Sequence, residues 1–198
     1  MCEASFHVTI AKRPMPDPYQ PFSQHFSERA ALTPFEVLGL PRRFDVSASV
    51  LRTAWMRLLA AQHPDADGSV EAASDANRAY HLLRDPLSRA DVLLSVGGCS
   101  GTGDLRLPDG FLLEMMELRE RADEAQGDRN ALSSLRAEAE QRRGIALTTI
   151  AAGFEDLASD MRLMTSSRAS EIRTQMNVVR SFDRMLEQLD RESEAGGY

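Results

Sequence analysis

His63, Pro64 and Asp65 stand in a row within LLAAQHPDADG, residues 58–68, directly after a run that reads as helix. An imidazole donates or accepts a hydrogen bond near neutral pH, a carboxylate only accepts, and a proline fixes φ and removes a donor. Two chemistries could use such a triplet. In the first, His63 and Asp65 form an acid/base pair with Cys99 or Ser95 as nucleophile. No Gly-rich phosphate loop, HExxH spacing or helix–strand alternation accompanies them, and His7, His25 and His81 do not cluster with His63 in the chain. In the second, the triplet is a stiff docking corner. Pro64 drives His63 out of helical geometry, so the preceding helix ends at about Gln62. Asp65 then waits at the tip as a preorganised acceptor for a partner arginine.

The flanking segments fit the second chemistry. Ser47 can cap a helix whose Leu51, Ala54, Trp55, Leu58 and Leu59 follow i, i+3, i+4 spacing, leaving Arg52, Met56 and Arg57 outside the stripe. After the corner, EAASDANRAYHLLRD places Ala73, Ala76, Tyr80 and Leu83 on one face of an antiparallel partner helix. His81 reads as a surface or packing residue. Upstream, TPFEVLGL predicts a short helix: Thr33 as N-cap, Pro34 at its first position, Glu36 completing a capping box and Gly39 ending it. Downstream, DPLSRADVLLSVGG predicts a fourth, capped by Asp85, with Pro86 at its start, Leu93 and Leu94 as contacts and Gly97 as terminator.

Gly98, Gly101, Gly103 and Pro108 mark residues 98–107 as a linker. Beyond it, residues 108–191 predict about three helices of an antiparallel bundle, separated at Gly127-Asp128 and at SDMRLMTSS. In the first of these, Leu112, Leu113, Met115, Met116 and Leu118 occupy most of the circumference. A bundle helix buries one stripe, so apolar surface should be left over. The segment 1–31, with Pro14, Pro16, Pro18 and Pro21 among polar residues, reads as a flexible tail.

The 198 residues suit two small domains, and 42% apolar content supports a hydrophobic core. Thirty acidic residues against 23 basic ones leave a net charge of -7, which argues against nucleic acid as a partner, because phosphate contacts demand a basic face. Cys2 and Cys99 offer neither a metal clasp nor a disulfide framework and read as free thiols, with no metal or cofactor expected. No stretch approaches the roughly 20 apolar residues of a membrane span, and the N-terminus lacks the apolar core of a signal peptide, so no membrane association and a cytoplasmic location are expected.

The order of short helix, amphipathic helix, HPD loop, antiparallel helix and fourth helix resembles the J-domain, the module by which J-type co-chaperones engage Hsp70 chaperones. More narrowly, PFEVLGLPRRFDVS, NRAYHLLRDPLSRADVLLS and FLLEMMELRE together are similar to HscB, the J-type co-chaperone of bacterial iron-sulfur cluster assembly. The likeness spans residues 33 to about 190; its most specific parts are the Arg-Ala-Asp-Val-Leu-Leu segment and FLLEMMELRE. It implies an all-α protein with a J-domain at 33–97 and a C-terminal three-helix bundle at 108–191, and no enzyme activity. It further implies that His63, Pro64 and Asp65, with Arg52 and Arg57, meet an Hsp70-class chaperone of HscA or DnaK type and stimulate its ATP hydrolysis. Leu112, Leu113, Met116, Glu117 and Glu120 match the family's patch for an IscU-like iron-sulfur scaffold protein, and Arg180 and Phe182 align approximately with a further contact region.

The chain departs from the pattern in two places. J-domains usually carry several basic residues on the second helix and often one directly after HPD; here that helix has Arg52 and Arg57 alone, and Asp67 adds negative charge. The four-cysteine zinc feature of some eukaryotic relatives is absent, which favours a bacterial-type protein. The rival to scaffold delivery is a J-domain co-chaperone or adaptor for a different client.

Overall fold

A computed structural model of the chain describes residues 32–61, 70–101, 105–125, 127–155, 157 and 160–195. The tail expected at 1–31 and the HPD corner lie outside these residues. All regular structure among them is helical: α1 (Pro34–Val37), α2 (Ala48–Ala61), α3 (Val70–Arg84), α4 (Pro86–Val96), α5 (Phe111–Glu124), α6 (Arg129–Glu155) and α7 (Ser166–Ala195), with a 3-10 turn at Met161–Leu163.

Local chemistry sets the helix ends. The Thr33 hydroxyl accepts from the Glu36 amide while the Glu36 carboxylate accepts from the Thr33 amide, and Gly39 leaves α1 at φ +64°, a conformation costly for a residue with a Cβ. Ser47 Oγ accepts from the Val50 amide at the start of α2. Asp85 accepts from the Ser88 amide at 2.7 Å, and Pro86 opens α4.

Around the hairpin, α2 buries Leu51 and Ala54, and α3 buries Ala76, Ala79 and Leu83. Ala73 and Tyr80, expected on the α3 stripe, are half-buried. Tyr80 is instead part of a clasp at the hairpin edge: Trp55 stacks on it with ring centroids 4.6 Å apart, and the indole N–H donates to Asn77 Oδ1 at 2.8 Å. His81 is exposed, its ring edge toward Tyr80.

In the bundle, α6 and α7 are the long pair. Gly153 lets them close up, since a Cβ there would stand 2.9 Å from Ile172 Cγ1. Leu132, Leu135, Ala139, Ala146, Ile150 and Phe154 of α6 meet Ile172, Met176, Val179, Met185 and Leu189 of α7 in a core that α5 completes with Phe111, Met115, Leu118 and Ala122. This core is continuous with that of the N-terminal helices. At the seam, Gly97 sits against Met164, and the Phe44 ring stacks on Phe154 at 5.7 Å. Arg173 donates to the Cys99 carbonyl, and Asn177 Nδ2 donates to the Arg106 carbonyl at 3.0 Å. Both described ends of the 98–107 segment are thus fastened to α7.

Candidate functional site

Two surfaces carry the candidate residues. The first is the outward side of the α2–α3 hairpin. Burying Leu51 and Ala54 turns the opposite side of α2 to solvent, and Arg52, Thr53, Met56 and Arg57 are all exposed there. Trp55 and Asn77 lie at matching distances from the connection between the helices, so their hydrogen bond holds the two in antiparallel register. His63, Pro64 and Asp65 fall in that connection, outside the described residues.

The second surface is on α5. Its core stripe, Phe111, Met115, Leu118 and Ala122, repeats every three to four residues and faces the bundle. Leu112, Leu113 and Met116 are rotated to the far side of the helix and are 66%, 62% and 65% exposed. Glu117 and Glu120 share that side and are exposed. On the intervening flank, Glu114 pairs with Arg142 of α6, and Arg121 reaches Glu138 at 2.9 Å while Arg142 also binds Glu138 at 2.9 Å. A hydrogen bond from Arg121, seconded by Arg142, holds the Glu138 carboxyl below its ordinary range. Burial of the core stripe sets the roll of α5 about its axis, and these partly exposed pairs add to it. The surplus apolar surface expected from the sequence is therefore real: a contiguous Leu-Leu-Met group backed by two acids.

Two candidates are placed elsewhere. Phe182 is 1% exposed, edge-on to Phe111 at 5.6 Å in the bundle core, so it cannot serve as a surface contact; an aromatic on the inward stripe of α7 is needed to fill the space under α5. Arg180 is half-buried at the seam, where its Nη1 donates to Asn177 Oδ1 at 3.0 Å and its Nη2 lies 3.7 Å from Asp91 of α4. Burial raises the Asp91 carboxyl above its ordinary value, opposed by Arg180 and Arg173. Arg180 thus ties α7 to α4.

Sequence reasoning missed Arg89. It is buried, its Nε donating to the Leu83 carbonyl at 2.7 Å and its Nη1 to the Phe44 carbonyl at 2.6 Å. Burial lowers its pKa, with Asp85 and Asp45 nearby opposing. The signal available was its position: Val92 and Leu93, three and four residues further along α4, are both core residues, so Arg89 shares their inward side. Among the described residues no group of three or more His, Cys, Asp or Glu could hold a metal ion, and no helix is long and apolar enough to cross a membrane.

A helical hairpin with a clasped stem, joined through a packed seam to a three-helix bundle with an apolar outer face, defines the architecture of a J-type co-chaperone. Residues 107–168 match the family model described as the HSCB C-terminal oligomerisation domain. A co-chaperone protein HscB homolog of Bordetella avium is 36% identical over 120 residues, covering 55% of this chain and 71% of the relative. One of Chromobacterium violaceum is 38% identical over 112 residues, covering 51% and 64%. The chain belongs to the HscB co-chaperone family. The solved structure of chaperone HscB from Vibrio cholerae shares the fold, with a TM-score of 0.64 over 83% of this chain and 99% of that one, at 24% identity.

Proposed function

We propose that this chain, acting in the cytoplasm, delivers an iron-sulfur cluster scaffold protein to a specialised Hsp70 and stimulates that chaperone's ATP hydrolysis, aiding cluster transfer. The observation that carries the reading is the α5 face. Three large apolar side chains stand exposed together on a helix whose core stripe is complete without them, and the Glu114–Arg142 and Arg121–Glu138 pairs keep them turned outward. Such a group is a docking surface for another protein, with the flexible methionine adapting to the partner's relief. Glu117 and Glu120 beside it favour a partner with basic residues around an apolar contact.

The J-domain half supplies the trigger. The HPD corner joins α2 to α3, and Arg52 and Arg57 on the outer side of α2 meet an acidic face of the Hsp70. With two arginines there, few charge pairs form, so docking leans on the corner itself. The chain performs no bond chemistry; it brings client and chaperone together and lowers the barrier to hydrolysis in the partner.

Stimulated ATPase turnover of the partner Hsp70, with and without scaffold, tests the reading. Asp65→Asn should abolish stimulation, because a neutral amide loses the charge-assisted bond to a partner arginine; an Hsp70 stimulated as well by this variant would refute the trigger. Leu113→Ala with Met116→Ala should weaken scaffold binding by about 2–4 kcal/mol, as truncation of central apolar anchors does, and unchanged affinity in calorimetry would refute the scaffold face. Capture of an Hsp70 without scaffold in a pull-down would point to a different client.

A further inference from the structure

Arg89 belongs to neither docking face, yet among the described residues it is the one charged side chain in the core. Its two carbonyl partners lie in different parts of the J-domain. Leu83 is in the last turn of α3, where carbonyls have no partner within the helix; Phe44 is in the connection between α1 and α2. A guanidinium presents donors in a fixed fork and can serve both at once. The same guanidinium lies over the Phe44 ring, 5.6 Å from its centroid, and that ring stacks on Phe154 of α6 at an interplanar angle of 19°. One buried side chain therefore gathers the α3–α4 corner and the α1–α2 connection, and holds the aromatic ring that meets the bundle. Two residues along α4, Asp91 faces Arg180 of α7. The J-domain is thus tied to α6 through Phe44 and to α7 through Asp91, with α4 as the common hub.

We infer that Arg89 is a positioning residue: by holding Phe44 against Phe154 it sets the angle between the hairpin that carries His63, Pro64 and Asp65 and the exposed face of α5. This rests on the delivery reading, in which both faces act on one complex. A fixed angle raises the effective concentration of the client at the chaperone, and a loose one forfeits that gain without touching either docking face.

The test uses the full chain with Cys2→Ser and Cys99→Ser, spin-labelled at Ser74→Cys of α3 and Ser133→Cys of α6, both exposed positions. The parent should give one narrow interlabel distance distribution. Arg89→Lys keeps the charge and loses the fork, and Phe44→Leu keeps an apolar group and loses the ring; each should broaden or shift the distribution. Each should also cut the scaffold-dependent gain in Hsp70 ATPase at least about fivefold, the size of a modest coupling between sites. Scaffold affinity and scaffold-free stimulation should stay at parent values. Folded variants with the parent distribution, or an equal loss with and without scaffold, would overturn the inference. If Arg89→Lys fails to fold, Phe44→Leu decides. A parent without any scaffold-dependent gain would refute the delivery reading, and the distance distributions would then judge the positioning role alone.

Discussion

In the α2–α3 hairpin, Leu51 and Leu83 among alanines, with one aromatic clasp, hold two helices together, and the outward side of α2 mixes Arg52, Thr53, Met56 and Arg57. In the bundle, long helices are held by large side chains, and the outward side of α5 gathers Leu112, Leu113 and Met116. An exposed Met56 between arginines needs no explanation, because single apolar residues are common on surfaces. Three together beside an already complete core are different: mostly exposed, they add little to the stability of the isolated chain. On the hairpin the proposed function rests on His63, Pro64 and Asp65 with the exposed arginines of α2, and on the bundle on apolar surface that the core leaves uncovered.

The largest effect is expected inside the bundle. Phe182→Ala should destabilise by about 3–5 kcal/mol, because it empties the space beneath Phe111, and chemical denaturation should register this as a lowered midpoint. Were Phe182 a surface contact, the same change would leave stability alone and alter binding. Trp55→Leu comes next, removing the Tyr80 stack and the Asn77 bond while keeping apolar volume; a loss of about 1–2 kcal/mol is expected by thermal unfolding. A smaller effect is expected where α5 meets α6. The folded-state pKa of Glu138 is depressed from 4.5, so this carboxylate stabilises the fold above that value and the gain fades as pH falls through the lower folded pKa. Its side chain is partly exposed, which caps the effect at about 1 kcal/mol, and Glu138→Gln should flatten that part of the acid unfolding curve. The smallest expected change is in the Leu113→Ala, Met116→Ala protein, whose stability should stay within about 0.5 kcal/mol of the parent. A large loss of stability there would mean that this face is core.

Much of this architecture was legible along the chain. The capping box at Thr33 and Glu36, the Asp85–Pro86 start of α4 and the period of α2 each depend on residues within a turn of one another. The α5 face was half legible: the excess of apolar residues on one helix was evident, but periodicity did not say which would be left uncovered, and it was the resemblance that singled out Leu112, Leu113 and Met116. Phe182 misled because alignment with a binding region says nothing about which side of α7 a residue occupies once α5 has packed against it. Arg89 escaped because an arginine in an amphipathic helix is by default a surface residue, and its carbonyl partners lie in other elements.

Caps and periodicity, being interactions over three or four residues, set where helices begin and end and which of their stripes are apolar. Tertiary packing alone settled that Leu112, Leu113 and Met116 face outward, that Phe182 is core, that Arg89 is buried against the Leu83 and Phe44 carbonyls, and that Arg180 reaches Asp91 of α4. Burial depends on where the other helices come to rest, and that is a property of the whole chain.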